Sequence, residues 1–310
     1  MNNERSTFMN KRWCMTIVVL CLMLIQFPNK LQTANASNIT KYRQTFIITP
    51  SIGNIRSGPG TQYKILTQYK KGTNVQSKGY VANISKEKWY QIEMPNKRIG
   101  WASSTILTLN KKVLLNTPLI SQMPELPRGC EVTSLAMMLQ YTGINVSKMT
   151  LAEKIKKDPT PYSKKSGRIY FGNPNTGFVG NMYTFNKPGY GVYHKPIAQL
   201  ANLYLPNKII DFSGSNFEKI YKYLDKGTPI WAINNVMFNK IPSQYWKTWH
   251  TPSGKVNITM KEHSVLITGY DAKYIYFNDP LTNEKNRKIA KRNFKAGWEQ
   301  MGKQAITYKK

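Results

Sequence analysis

Three hydrophobic patterns succeed one another along this chain, and each marks off a region. The first has no period: Met15 to Phe27 is an apolar run of 13 residues behind Lys11 and Arg12, followed by the small-x-small triplet Ala34-Asn35-Ala36. That order reads as a secretory signal over residues 1–36. The run falls short of the ~20 apolar residues a membrane-spanning helix needs. Cys21 lies inside it behind Leu20, where a lipid-anchored cysteine wants a small residue. The expectation is an exported protein with no stable membrane insertion once the signal is cleaved.

The second pattern is a string of short strands across residues 41–109: Thr45 to Thr49, Tyr63 to Leu66, Asn74 to Ser77, Trp89 to Glu93 and Ile99 to Trp101. Turn chemistry separates them at Ser57-Gly-Pro-Gly60, Lys71-Gly72 and Pro95-Asn96. Strands of this length with no helical period predict an all-β small barrel, with Trp89 and Trp101 in its core.

A short connection from Thr108 to Thr117 leads to the third pattern, over residues 118–310. Val132, Leu135, Ala136 and Leu139 recur at helical spacing, with Gly143 placed to end the helix and Pro127 and Gly129 limiting it upstream. Further helical patterns fall at Thr150 to Lys157, Ile197 to Leu203 and Asn216 to Leu224. Strands are predicted at Pro229 to Ile233, His263 to Tyr270 and Tyr274 to Asn278. Helices first and strands later give an α+β domain. The Gly-, Pro-, Asn- and Tyr-rich stretch from Asp158 to Pro196 is read as a loop forming one wall of a substrate cleft.

Composition changes this picture in two ways. The chain carries a formal charge of +30, and +27 without residues 1–36, since Arg5, Lys11, Arg12, Lys30 and Glu4 leave together. Such a field favours polyanionic partners. For an exported protein these are wall polymers and anionic membrane lipid, and not nucleic acid. Removal of the signal also takes Cys14 and Cys21, leaving Cys130 with no cysteine to pair with, which points to a reactive thiol.

Cys130 follows Gly129 at the start of a helix, where unpaired backbone N–H groups and the positive end of the helix dipole favour a thiolate. A thiol nucleophile needs a base. His263 opens the run Ser264 to Tyr270, and Asp279 closes Tyr274 to Asn278, each eight residues from Asp271. A regular hairpin turning at Asp271 sets His263 directly opposite Asp279, close enough for the carboxylate to orient the imidazole. A one-residue bulge would bring Asn278 there instead. His194 and His250 stand in polar stretches without a comparable carboxylate and are read as surface or cleft wall. Gln122, eight residues before Cys130, could return over the helix start and offer its amide to an oxyanion beside the Cys130 N–H. The histidines and lone cysteine lack metal-ligand spacing, and no nucleotide or dinucleotide loop occurs, so no metal or cofactor is expected.

Two resemblances sharpen the reading. Asn54-Ile-Arg-Ser-Gly-Pro-Gly-Thr61, with Gly72-Thr73, Trp89-Tyr90 and Gly100-Trp101, resembles a bacterial Src-homology-3-type domain, which implies targeting to cell-wall peptide or glycan. Ser121-Gln122, Gly129-Cys130-Glu131, Ser134 to Met138, His263 with Gly269-Tyr270, and Asn278-Asp279-Pro280 resemble the papain-like cysteine peptidases of the bacteriocin-processing, double-glycine type. Phe178-Val-Gly180, Gly189 to Val192 and Gly227 to Trp231 look like its stand-alone secreted branch. By that resemblance Cys130 is the nucleophile, His263 the base, Asp279 the orienting group and Gln122 the oxyanion donor, acting on a peptide or protein. The nucleotide-binding domain and membrane helices of transporter-linked members are missing from this sequence, so leader processing during export is not carried over. The rival functions are a peptidoglycan endopeptidase or amidase, and a non-catalytic wall-binding protein on an inactive peptidase fold.

Overall fold

The computed structural model describes residues 39–82, 87–95 and 97–310; the expected signal lies outside them. The first eight strands are β1 Thr40–Lys41, β2 Thr45–Ile48, β3 Ile52–Arg56, β4 Ile65–Lys70, β5 Asn74–Ala82, β6 Lys88–Glu93, β7 Ile99–Ser103 and β8 Leu107–Leu109. They form one sheet in the order β4-β3-β7-β6-β5-β2-β8, with β1 on β5. The path is open, so the hydrogen bonding does not close the barrel expected from the sequence. Its ends are β4, paired with β3, and the three-residue β8, paired with β2. Alternation along β2 and β3 sends Phe46, Ile48 and Ile55 into a core shared with Val75, Ile92 and Ala102. Trp89 and Trp101 are buried, as expected of core residues.

The remaining strands are β9 Val113–Leu114, β10 Lys157–Asp158, β11 Ser163–Lys165, β12 Arg168–Tyr170, β13 Phe178–Val179, β14 Ile209–Asp211, β15 Ile230–Asn235, β16 Trp246–Thr251, β17 Gly254–Thr259, β18 Glu262–Tyr270, β19 Tyr274–Asp279, β20 Glu284–Ala290 and β21 Ala305–Tyr308. The helices are α1 Cys130–Tyr141, α2 Lys148–Lys154, α3 His194–Tyr204, α4 Glu218–Asp225 and α5 Lys291–Gln300. The central sheet runs β14-β21-β15-β18-β19-β20, with β9 pairing on β18, and every pairing in it is antiparallel. Both faces are covered, which is why β15 is buried along its whole length. Trp231, Ile233 and Leu266 meet α1, α2 and α3 on one face. Ile230, Ala232, Val265, Ile267 and Phe277 meet Phe294 and Trp298 of α5, with Ile220 and Leu224 of α4, on the other.

The stretch from Asp158 to Pro196, expected to be a loop, contains parts of β10 to β13 and the start of α3. Together with the β16–β17 hairpin it buries an aromatic cluster of Phe171, Tyr190, Tyr193 and Trp249. Among the described residues no helix is long and apolar enough to cross a membrane.

Candidate active site

Cys130 is the first residue of α1, and its side chain is almost fully buried. Gly129 before it makes the sharp entry possible, because a Cβ there would stand 2.5 Å from Leu126 Cβ. Gln122 sits on the same entry loop. Its N–H donates to Pro280 O at 2.9 Å, and its O accepts from Leu126 N–H at 2.9 Å. The Gln122 Nε2 donates to Leu126 O at 3.3 Å and Pro127 O at 2.9 Å, while Oε1 is buried without a partner. The loop preceding the thiol is thus tied to the chain just beyond Asp279, and the Gln122 amide is engaged with that loop's carbonyls.

His263 and Asp279 are brought together, by a register that differs from the expected one. Leu266 pairs with Asn278 and Ile267 with Phe277, and a bulge follows between Ile267 and Gly269. Continued towards the strand start, this register sets Val265 opposite Asp279. His263 therefore lies diagonal to Asp279 on the same face, within reach of long side chains. The turn accounts for the difference: Tyr270 pairs with Ile275, so the hairpin is centred between Ala272 and Lys273 and not on Asp271, while the bulge moves the pairs beyond it one residue back towards the expected register. The contact itself is made: His263 Nε2 lies 2.8 Å from Asp279 Oδ1, with both side chains buried. Asn278 points to the opposite face, where Nδ2 donates to Thr117 Oγ1 at 2.9 Å and Pro118 O at 2.7 Å. Asn278 Oδ1 accepts from Asn286 N–H at 3.0 Å.

Asp279 is richly bonded. Oδ1 also accepts from Leu281 N–H at 3.0 Å, and Oδ2 takes Arg287 Nη1 at 2.7 Å. Burial opposes its ionisation, but the His263 and Arg287 interactions outweigh it and hold the carboxyl well below the ordinary carboxylate range. An ionised Asp279 requires the proton of the imidazole on Nε2, which leaves the Nδ1 lone pair as the base.

The thiol has different company. Cys130 Sγ donates to Glu131 Oε2 at 3.4 Å, and no hydrogen bond joins it to the His263 ring. Alternation along β18 explains this neighbourhood, because Glu262 and Ser264 project to the α1 face while His263 projects to the other. Burial first, then the charges of Glu131 and Glu262, push the Cys130 thiol well up, against the Ser264 backbone amide, which favours thiolate. Burial raises Glu131 to about 7, and burial with the Glu131 charge raises Glu262 well above its ordinary value. Glu131 Oε1 accepts from Val192 N–H at 2.7 Å, whereas Glu262 Oε1 has no partner. Gly191 passes between the two: a Cβ there would collide with Glu131 and stand 3.1 Å from Glu262 Oε2. One sulfur and two carboxylate oxygens lie here within 4.8 Å of one another, a set that could hold a cation. The Gly-Cys-Glu run and the Glu before His263 carried this cluster in the sequence, but only the alternation of β18 relates residues so far apart.

Of the other histidines, His250 packs in a tilted contact on Tyr170, ring centroids 5.1 Å apart. His194, expected to lack a carboxylate, has one: Nδ1 bonds Asp211 Oδ2 beside the start of α3. The partner comes from β14, a strand that periodicity did not mark.

Comparison with known proteins agrees with this architecture. Residues 51–108 match the bacterial SH3 domain, and residues 114–306 match the Peptidase_C39 like family. The uncharacterized protein YvpB of Bacillus subtilis (strain 168) is 47% identical over 198 residues, covering 63% of this chain and 76% of YvpB. A crystallised chain from Bacillus anthracis classed as a C39-like peptidase superposes with a TM-score of 0.60 at 50% identity, covering 64% of this chain and 98% of that one. With a bacterial SH3 domain ahead of it, and with its matched region spanning the central sheet and the five helices, the chain belongs to the Peptidase_C39 like family.

Proposed function

We propose that this protein is a secreted, cell-wall-associated thiol hydrolase that cleaves peptide bonds, with Cys130 as nucleophile. The observation that carries the reading is the buried His263–Asp279 pair at 2.8 Å, one residue from Ser264, whose amide faces the Cys130 thiol. In this mechanism the His263 ring, which alternation turns away from α1, reaches the thiol round the start of β18, and Nδ1 takes the thiol proton as sulfur attacks the scissile carbonyl. Asp279 accepts from Nε2–H and stabilises the imidazolium. The new S–C bond leaves a tetrahedral oxyanion, for which the Cys130 N–H and the Gln122 amide are the donors. Gln122 then exchanges one loop carbonyl for the substrate oxygen. Imidazolium next protonates the departing amine, and water, activated by Nδ1, hydrolyses the thioester. The bacterial SH3 domain supports a wall-bound peptide or protein as substrate, and the positive charge supports anionic wall polymer as a partner.

The test is hydrolysis of a pool of wall-associated peptides by the protein and by Cys130→Ala and His263→Ala. Both substitutions should lower turnover by at least ~10³-fold while the thermal melt stays cooperative. Turnover that survives either substitution would remove that residue from the mechanism, and no turnover by the unsubstituted protein would mean that the fold is used for binding alone.

A further inference from the structure

A cavity of 540 Å³, a volume in the range of small-molecule sites, opens between the β16–β17 hairpin, the start of α3 and the end of α5. None of Cys130, His263, Asp279 or Gln122 lines it. One wall is the hairpin: Trp246 pairs with Thr259 and Thr248 with Asn257, so Trp246 and Asn257 project from the same face. The other wall is formed by Tyr193 and His194 at the start of α3, with Met301 just past α5. A short piece of chain joins this wall to the thiol side, because Val192 N–H binds Glu131 Oε1 and Tyr193 follows directly.

Several polar groups on the lining have no partner among the described residues. The Trp246 indole N–H is one. Asn257 Oδ1 accepts from Thr248 Oγ1 at 2.8 Å, which leaves the Asn257 Nδ2 hydrogens free. Asn175 Nδ2 donates to Asn173 Oδ1 at 3.0 Å, which leaves Asn175 Oδ1 as an open acceptor. Asp211 Oδ2 engages His194 Nδ1, so Nε2 is a second acceptor. The cavity therefore presents two donors and two acceptors around an indole ring and a thioether.

Charge narrows the class of ligand. In a chain of net charge +30, the cavity is lined by no Lys, Arg, Asp or Glu among the described residues. A phosphate-bearing polymer would find no cation here, and a charged peptide no ion pair. A sugar needs neither. Its hydroxyls donate and accept, its C–H face packs on an aromatic ring, and an acetamido group pairs with one amide donor and one amide acceptor.

We propose that this cavity is a saccharide subsite for the N-acetylated hexosamine units of a glycan. Trp246 packs on the sugar ring, Asn257 Nδ2 and Asn175 Oδ1 bond the acetamido group, and His194 Nε2 accepts from a hydroxyl. The site goes beyond the hydrolase reading and requires neither the thiol nor His263.

The probe is tetra-N-acetylchitotetraose, titrated into the full ¹⁵N-labelled chain, with tryptophan indole resonances as the readout and calorimetry for affinity. The resonance absent from Trp246→Phe belongs to Trp246, and it should shift saturably. Trp246→Ala should weaken binding at least ~10-fold, and the exposed Asn257→Ala at least ~3-fold, which decides the matter if the first variant does not melt cooperatively. Cellotetraose, with hydroxyls in place of acetamido groups, should bind at least ~10-fold more weakly than the acetylated tetramer. Cys130→Ala should bind as the unsubstituted chain does, so that a failed hydrolase and a failed sugar site are told apart. No shift at millimolar tetramer, a shift confined to the Trp89 and Trp101 indoles, equal affinity for cellotetraose, or a larger response to the charged peptide Ala-Glu-Lys-Ala would each overturn the proposal. Loss of binding in Cys130→Ala would place the sugar at the thiol and overturn it as a separate site.

Discussion

Asp279 and Glu262 are both carboxylates beside the candidate catalytic pair, yet their surroundings differ in kind. Asp279 receives donors on both oxygens, from His263, Leu281 and Arg287, and is held ionised. Glu262 has one buried oxygen with no partner and a second carboxyl, Glu131, as its neighbour, and burial with that neighbouring charge pushes it well above its ordinary value. The difference shows how a site can contain two acids at one strand end and use them oppositely. Donors, not burial alone, decide which carboxyl is charged. The imidazole half is organised for charge and the thiol half for neutrality, and the boundary runs between His263 and its two neighbours in β18.

The severest way to break this contrast is to neutralise the charged half. Asp279→Asn keeps the shape but leaves Arg287 with Glu284, 3.6 Å from its Nε, in place of the buried carboxylate. Peptide hydrolysis should fall on the order of 10³-fold in kcat/KM, as expected when a triad carboxylate becomes an amide. A loss below about tenfold in that assay would remove Asp279 from the proposed mechanism.

Relaxing the neutral half should act in the opposite direction and less strongly. Glu262→Gln removes one acid from the cluster, so the Cys130 alkylation inflection should fall by about one pH unit. The cluster also makes a stability prediction. A buried carboxyl raised from its ordinary value to about 7 contributes fully below pH ~4.5, and that contribution is lost as pH rises through about 7. Urea melts should therefore show lower stability at pH 8 than at pH 5, by at most about 3 kcal/mol from Glu131. The difference should narrow in Glu262→Gln. Equal stability at the two pH values would mean that the pair is hydrated and ionised.

The smallest effect on catalysis is expected one residue from Asp279. Asn278→Ala removes bonds to Thr117, Pro118 and Asn286 on the sheet's other face. It should cost about 1–3 kcal/mol of stability and leave the pH–rate profile in place. A moved profile would tie Asn278 to the imidazole after all.

The sequence made the hairpin and its two chemical residues legible because apolar runs flank Asp271 symmetrically. It hid the register, because the turn is centred past Asp271, with Tyr270 paired to Ile275, and the bulge at Ile267 to Gly269 leaves no compositional trace. Strands such as Glu284-Lys-Asn-Arg-Lys-Ile-Ala290 and Trp246-Lys-Thr-Trp-His-Thr251 escaped notice, being too polar to stand out by periodicity. With the first went Arg287. The start of α1 was readable from Pro127 and Gly129, while the acid cluster joins α1 to β18, a long-range pairing that local spacing cannot express. Closure of the N-terminal sheet is not seen in its hydrogen bonding, and the sequence could not have told, because short alternating strands look the same in either arrangement.

The pairing of β9 with β18 has a mechanical side. Val113 and Leu114 hydrogen-bond along Tyr270 and Gly269, and Leu115 N–H continues to Thr268 O at 2.8 Å. When a tethered N-terminal domain is pulled, tension enters the C-terminal domain through this short antiparallel edge. Those few bonds bear the load together, in shear, on the strand whose other end carries His263. A pull applied there would load this edge before it reached His263 near the start of the same strand.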